Sequence, residues 1–276
     1  QFLRDYSFGG ILADDMGLGK TVQTLAHIMV EKEAGRLEAP VLVVAPTSVL
    51  STWRMEAERF APDLQVQVWH GPQRNRQQKK LPKQELIITS YALLQRDAKL
   101  FQGFEFHLLI LDEAQAIKNP DTKVARAACS QPARHRLCLT GTPVENHLGE
   151  LWSLFNFLMP GYLGNKDSFR RLFRNPIEKE SNIQRRYELE RRIHPFVLRR
   201  DKHQVATELP LKTTIVSTLE FEGSQARLYE SVRSAMSKKV AQLLEQKGMK
   251  KSRIEILDAL LKLRQVCCDP RLVKLE

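Results

Sequence analysis

The chain has 276 residues, 42% of them apolar, which is enough to bury a sizeable core and excludes a disordered tail. No run of eighteen or more apolar residues occurs, and the opening Gln1 to Tyr6 lacks the basic-then-apolar build of a signal peptide. These features point to a soluble intracellular protein with no membrane partner, while a net charge of +11 and a pI near 9.6 make nucleic acid the leading expected partner.

In chain order, five short apolar runs recur in the first half: Gly10–Ala13, Val41–Ala45, Leu86–Thr89, Leu108–Leu111 and Leu137–Thr140. They are continuous rather than alternating, and helical patterns fill at least three of the gaps. That combination predicts a parallel sheet covered on both faces. A sixth candidate strand, Leu64–Trp69, alternates and is expected nearer an edge. Each of the five runs ends in Gly, Pro, Ser, Thr or acidic residues. Ligands of a doubly wound sheet bind beyond the carboxyl ends of its strands, so the chemistry is expected on one rim.

The first run leads into Asp14-Asp15-Met16-Gly17-Leu18-Gly19-Lys20-Thr21, followed by the helical pattern Val22, Leu25, Ala26, Met29. In that context Asp15 to Thr21 read as a phosphate-binding loop for ATP. Gly17 and Gly19 let backbone N–H groups face the phosphates, Lys20 reaches the β/γ oxygens, and Thr21 holds Mg²⁺ at a helix N-terminus. Asp14 stands where the general pattern has its first Gly; a Gly-rich helix start with a solvated Lys is the bland alternative.

The second run ends in Pro46-Thr47-Ser48, where a strand gives way to a helix and free N–H groups and hydroxyls can grip a phosphate without reading sequence. Arg74, Arg76, Lys79, Lys80 and Lys83 then form a basic run with no acid between them. Such a run is usually a solvated face, and DNA contact there is the less favoured reading. The fourth strand delivers Asp112 and Glu113 to the rim. Asp112 would hold the Mg²⁺ through its shell, and Glu113 would orient or deprotonate the attacking water. Thr140-Gly141-Thr142-Pro143 carries no reactive group, but its hydroxyls could sense the acid pair and relay the nucleotide state; an ordinary turn is the alternative.

After this point the pattern turns helical. Leu148, Leu151, Trp152, Phe155 and Leu158 form one stripe. Residues 159 to 204 hold twelve Lys/Arg against six Asp/Glu, and this stretch supplies over half the net charge. Within it, Arg199 and Arg200 could touch DNA or tie the segment down by salt bridges, the latter being slightly favoured. Thr213–Leu219, rich in β-branched residues, is a candidate late strand. Two helices follow, marked by Leu228, Val232, Met236, Val240 and Leu243, then by Ile254, Leu257 and Leu261. Cys129, Cys138, Cys267 and Cys268 have no metal-binding spacing and read as reduced core thiols. His70, His107, His135, His147, His194 and His203 lack ligand spacing, so no metal beyond Mg²⁺ is expected.

Phosphate loop, Asp112-Glu113-Ala114-Gln115 and Leu139 to Pro143 in this order resemble superfamily-two helicase-like ATPases. Leu12 to Thr24, with Asp14 at the departing position, is similar to the first motif of SWI/SNF-type ATPases. Ala45 to Leu50 with Trp53 and Glu56, Ile88 to Tyr91, Asp112 to Asn119, Phe196 to Lys202, Glu208 to Pro210 and Leu263 to Pro270 extend the likeness across the chain. The resemblance implies an α/β fold, a RecA-like three-layer sandwich with a mainly parallel sheet and α-helical protrusions. It also implies a DNA-stimulated ATPase that tracks along a duplex, with Gln115 contacting the γ-phosphate or coupling it to DNA, and Thr47, Ser48, Thr89, Lys118 and Asn119 on the DNA-facing side.

The expected division is residues 1–145 as the ATP-binding lobe, 146–200 as a basic helical insertion, 201–222 as a return to the sheet, and 223–276 as a helical segment leading toward a second RecA-like lobe. Nothing after Leu263 resembles that lobe or its arginine finger, so this chain alone is expected to hydrolyse ATP barely or not at all. The expected partners are the backbone of double-stranded DNA, the second lobe and a DNA-bound protein complex. The expected location is the cytoplasm or nucleoid of a bacterium or archaeon, or a eukaryotic nucleus. A strand-separating helicase and a non-catalytic scaffold are the competing readings; retention of Lys20, Thr21, Asp112 and Glu113 speaks against the scaffold.

Overall fold

Val41–Ala45 is buried along its whole length because both of its faces are covered, which is why its sequence does not alternate. A computed structural model describes residues 2–141, 147–205, 213–218 and 220–273. These divide between two compact units, residues 1–209 and 210–276.

In the first unit, α1 (Phe2–Asp5) precedes β1 (Gly10–Leu12), α2 (Lys20–Glu33) and β2 (Val41–Ala45). Then come α3 (Leu50–Phe60), β3 (Val66–Trp69), β4 (Leu86–Ser90), α4 (Tyr91–Arg96), α5 (Ala98–Phe101) and β5 (Phe106–Asp112). The lobe continues through α6 (Lys123–Cys129), β6 (Ala133–Leu139), α7 (Leu148–Leu158), α8 (Lys166–Phe169), α9 (Asn175–Glu180), α10 (Ile183–Ile193), β7 (Val197–Leu198) and α11 (Lys202–Val205).

The seven strands pair in the order β3-β4-β2-β5-β6-β1-β7, and every pairing is parallel. This is the three-layer α/β arrangement expected from the sequence, with β3 at an edge as its alternation suggested. Side chains separate by the two-residue period of a strand. Leu42 and Val44 of β2 and Leu109 and Leu111 of β5 pack with Tyr91, Leu94, Ala125 and α7 on one face. Val41 and Val43 with Leu108 and Ile110 pack on the other, against Leu25 and Ile28 of α2 and Leu50, Trp53 and Ala57 of α3.

Two expectations about the later chain change. Helix α7 belongs to the covering layer: Leu151, Leu154, Phe155, Phe157 and Leu158 are buried in the core beside the sheet, so the sandwich continues past residue 145. The late strand is β7, which pairs with β1 through Ile11–Val197 and Leu12–Leu198. Residues 213–218 lie outside any strand and are exposed, Ile215 by 83% and Val216 by 85%. Their β-branched composition has no sheet neighbour to pack on, and without cross-strand partners β-propensity decides little. The strand β6 also starts earlier than its apolar run. Its polar first half is fixed by Arg136, whose guanidinium donates to the carbonyls of Phe157 and Gln131 and lies 5.2 Å from the centre of the Phe157 ring.

The second unit contains α12 (Gly223–Lys251) and α13 (Arg253–Cys268). Gly248 breaks the α12 ladder with φ of 69°, and the Ser252 hydroxyl donates to the carbonyls of Leu243 and Gly248 at the turn between the helices. Both helices were anticipated, but the stripe of the second was not. Ala259 and Val266 are buried, whereas Ile254, Leu257 and Leu261 are exposed, since two packed helices cover only a narrow seam of each. Cys138 is buried and Cys129 partly so, while Cys267 and Cys268 are exposed and do not belong to a core. No described helix is long and apolar enough to cross a membrane.

Candidate nucleotide and DNA site

Because all strands run the same way, β1, β2, β4, β5 and β6 deliver their following residues to one rim. After β1 the chain turns through Gly17 and Gly19, whose φ values of 87° and 73° lie in the left-handed region that only glycine enters without strain. Lys20 then opens α2, so the free N–H groups of a fourteen-residue helix and its dipole face the loop. The Lys20 ammonium folds back and donates to the carbonyls of Asp14 at 2.6 Å and Asp15 at 3.2 Å.

Asp14 departs from the general loop pattern for a reason the structure makes plain. Its carboxylate is fully buried and is held by Arg200, whose Nε donates to Oδ1 at 3.1 Å and whose backbone N–H donates to the same oxygen at 3.0 Å. Burial alone would raise the Asp14 pKa, but the Arg200 guanidinium prevails and holds it below the ordinary carboxylate range. Arg200 also donates to Gln23 Oε1 at 2.6 Å, and the Gln23 amide donates to the Leu18 carbonyl at 2.8 Å. Further backbone bonds run from Ala13 N–H to the Leu198 carbonyl and from Asp15 N–H to the Arg200 carbonyl. Lys202 N–H donates to the Asp15 carboxylate. Residues 198–202 thus strap the phosphate loop. Of the two roles considered for Arg200, the structure assigns the salt bridge; Arg199 is exposed.

The acid pair follows β5. Asp112 Oδ2 accepts from the Trp53 indole N–H at 2.8 Å, its Oδ1 accepts from the Glu113 N–H at 3.0 Å, and the Tyr91 hydroxyl donates to its carbonyl at 2.7 Å. Burial pushes the Asp112 carboxyl above its usual range, against the opposing Trp53 hydrogen bond; Glu113 adds to the rise and Lys20 counters it. Glu113 sits at φ 50°, an uncommon conformation for a residue with a side chain, which turns the chain sharply out of the strand.

A hydrogen-bonded chain continues from there. Gln115 Nε2 donates to Glu113 Oε2 at 2.8 Å, and the buried Thr140 hydroxyl donates to Gln115 Oε1 at 3.1 Å. Gly141 lies against the phosphate loop, where an added Cβ would come within 3.4 Å of Met16 Cγ. Thr142, the third residue singled out in this segment, is outside the described residues.

Thr21 and Asp112 offer one hydroxyl and one carboxylate. Among the described residues each Asp112 oxygen accepts a single hydrogen bond, leaving lone pairs for a hydrated cation. Among the described residues no group of three His, Cys, Asp or Glu side chains could cage a metal. An oxygen-only, incomplete donor set suits Mg²⁺, which keeps its waters and takes further ligands from phosphates.

Of the residues expected to face DNA, Thr47 and Ser48 are exposed on the turn leading into α3, and Asn119 is exposed beyond the acid pair with Lys118 half-buried before it. Thr89 is a correction: it is fully buried in β4 and its hydroxyl donates to the Trp69 carbonyl at 3.1 Å, so its side chain is not on the surface. The basic run after Gln73 forms a 3₁₀ helix from Arg74 to Lys83, anchored by buried Leu81, and Arg74 is committed to Asp97 at 2.7 Å. Trp53, Tyr91, Gln23 and Arg200 were not expected to touch the nucleotide loop or the acid pair. Trp53, Gln23, Tyr91 and Arg200 all lie in the family-like motifs, but only the fold reveals their partners.

Among known proteins, residues 3–272 match the family model described as SNF2-related domain. An uncharacterized ATP-dependent helicase of Mycoplasma pneumoniae is 39% identical over 271 residues, covering 98% of this chain and 25% of its own length. The chromatin-remodeling ATPase INO80 of Arabidopsis thaliana is 35% identical over 288 residues, covering 97% of this chain and 19% of its own. The solved SWI2/SNF2 ATPase core of Sulfolobus solfataricus, in complex with dsDNA, is similar with 38% identity and a TM-score of 0.69 over 96% of this chain and 55% of that one. The chain therefore spans a quarter or less of these curated relatives and about half of the solved core.

Proposed function

The chain belongs to the SNF2-related family, and we propose that it is the ATP-binding lobe of a motor that couples ATP hydrolysis to movement along double-stranded DNA. The observation that carries this reading is the meeting, on one rim, of the glycine-bent loop before Lys20 with the Glu113–Gln115–Thr140 hydrogen-bonded chain. On this reading, residues Asp15 to Gly19 cradle the ATP phosphates through their N–H groups, and Lys20 exchanges its two carbonyl acceptors for β/γ oxygens. Thr21 and Asp112 would hold Mg²⁺, which would neutralise charge on the transferred phosphoryl group.

Glu113 orients the attacking water and accepts its proton. Gln115 fixes the Glu113 carboxylate and, through Thr140, links its position to Gly141 and Thr142. Thr47, Ser48, Lys118 and Asn119 face the phosphate backbone of the duplex, a contact that carries no base information. The second RecA-like lobe of the same polypeptide closes the site with an arginine finger, in keeping with the 55% of the solved core that this chain covers. A DNA track places the protein in the nucleoid-bearing cytoplasm or the nucleus, with a DNA-bound protein complex as its target.

Glu113→Gln in the two-lobe protein tests the chemistry. It is expected to bind ATP as the parent does and to lose at least about 100-fold in hydrolysis. Full activity in that variant would remove Glu113 from the mechanism.

A further inference from the structure

We infer that Trp53 is a positioning residue that ties the DNA-facing turn to the carboxylate of Asp112, so that engagement of DNA and of metal-bound nucleotide strengthen one another through helix α3. The inference rests on the proposed reading of Asp112 as the metal-holding carboxylate and of Thr47 and Ser48 as phosphate contacts.

Trp53 is 1% exposed, on the face of α3 that packs against the sheet. Its indole has one donor and no acceptor, so it can hold an oxygen and do nothing else at this position. That donor meets Asp112 Oδ2 at 2.8 Å, across 59 positions of sequence. The other carboxylate oxygen is held locally by the Glu113 N–H and the carbonyl by Tyr91. Trp53 is the side chain from α3 in this set of bonds.

The helix that carries it begins at Leu50, directly after the exposed turn Thr47–Val49. From Ser48 to Trp53 is about 7.5 Å of helical rise, short enough to move as a rigid piece. A phosphate gripped at Thr47 and Ser48 therefore restrains the same turn-and-helix that orients the carboxylate. A metal–nucleotide that pulls on Asp112 is resisted or assisted at the turn. By linkage, the two ligands must then alter each other's affinity by the same factor.

The test uses the full-length protein, with equilibrium binding of a fluorescent ATP analogue and Mg²⁺ measured with and without duplex DNA. Trp53→Phe keeps the ring in the core and deletes only the donor. The expected result is a variant that melts near the parent and still binds duplex, but in which the DNA-induced tightening of nucleotide binding shrinks by about fivefold or more. ATPase kinetics should show the same loss as a smaller DNA stimulation of kcat. A folded Trp53→Phe protein that keeps the full DNA effect would overturn the inference and reduce Trp53 to packing.

Asp112→Asn separates this failure from that of the underlying reading. If Asp112→Asn leaves Mg²⁺-dependent binding untouched, both fall together; if it impairs that binding while Trp53→Phe keeps the full DNA effect, only the inference falls. Hydrogen exchange in the unmodified protein gives an answer independent of the variants' folding. Saturating Mg²⁺ and ATP analogue should increase amide protection across residues 47–56, and unchanged protection there would contradict the coupling.

Discussion

Asp14 shows how one buried charge organises the loop around it. Its carboxylate is wholly buried, and the partner that neutralises it, Arg200, is itself 38% exposed on its side chain. Removing the partner should leave a stranded charge. Arg200→Ala is expected to cost about 2–4 kcal/mol in chemical denaturation, between the values for exposed and fully buried pairs. Asp14→Gly added to it should recover most of that loss, because the general loop pattern has glycine there. No recovery would mean that the strap, and not the charge, holds the loop.

A second buried acid gives a pH signature. Glu31 is drawn down from 4.5 to about 2, first by the hydrogen bond from Arg36, with burial opposing and Arg4 assisting. Its folded value lies below its unfolded one, so the stability it contributes is fully present above 4.5 and is lost as pH falls toward 2. Glu31→Gln should flatten that part of the acid-denaturation profile, and an unchanged slope between those pH values would refute the assignment.

Elements carry the sequence's meaning unevenly. The strands β1, β2, β4 and β5 are legible because sheet burial on both faces demands continuous apolar runs, and the glycines and acids after them mark the rim without reference to tertiary contacts. Pairing across long stretches of chain leaves no such local mark. Arg200 lies 186 positions from Asp14 and Trp53 lies 59 from Asp112, so their roles were hidden until the fold joined them. Composition misled where a local preference lacked partners, as in 213–218, or where a half-buried cation was satisfied by carbonyls, as at Arg136 in β6. The family resemblance put Thr89 on the DNA-facing side, but β4 runs one residue further than its apolar run, to Ser90, and Thr89 stays inside.

The turn before α3 invites a test at this scale. Thr47→Ala with Ser48→Ala should weaken duplex binding severalfold and by the same factor for every sequence. The slope of affinity against salt should stay unchanged, because neutral hydroxyls release no counterions. A change confined to particular sequences would mean that this turn reads bases.

For the molecule as a whole, the rim offers a place for the phosphates of ATP and, at its DNA-facing side, one track of phosphate contacts. The proposed motor needs a second lobe to supply the arginine finger and complete both sites. The 276 residues alone are therefore expected to bind ATP with Mg²⁺ and to hydrolyse it slower than the two-lobe protein by about 10³-fold or more. Comparable turnover by this chain alone would show that its site is already complete. The central claim, that the lobe drives movement along intact duplex, is tested most directly by displacement of a third strand from a triplex. With ATP and Mg²⁺ the two-lobe protein should strip the third strand while leaving the duplex paired, and Glu113→Gln should not. Separation of a plain duplex, or triplex displacement that persists without ATP hydrolysis, would contradict the account.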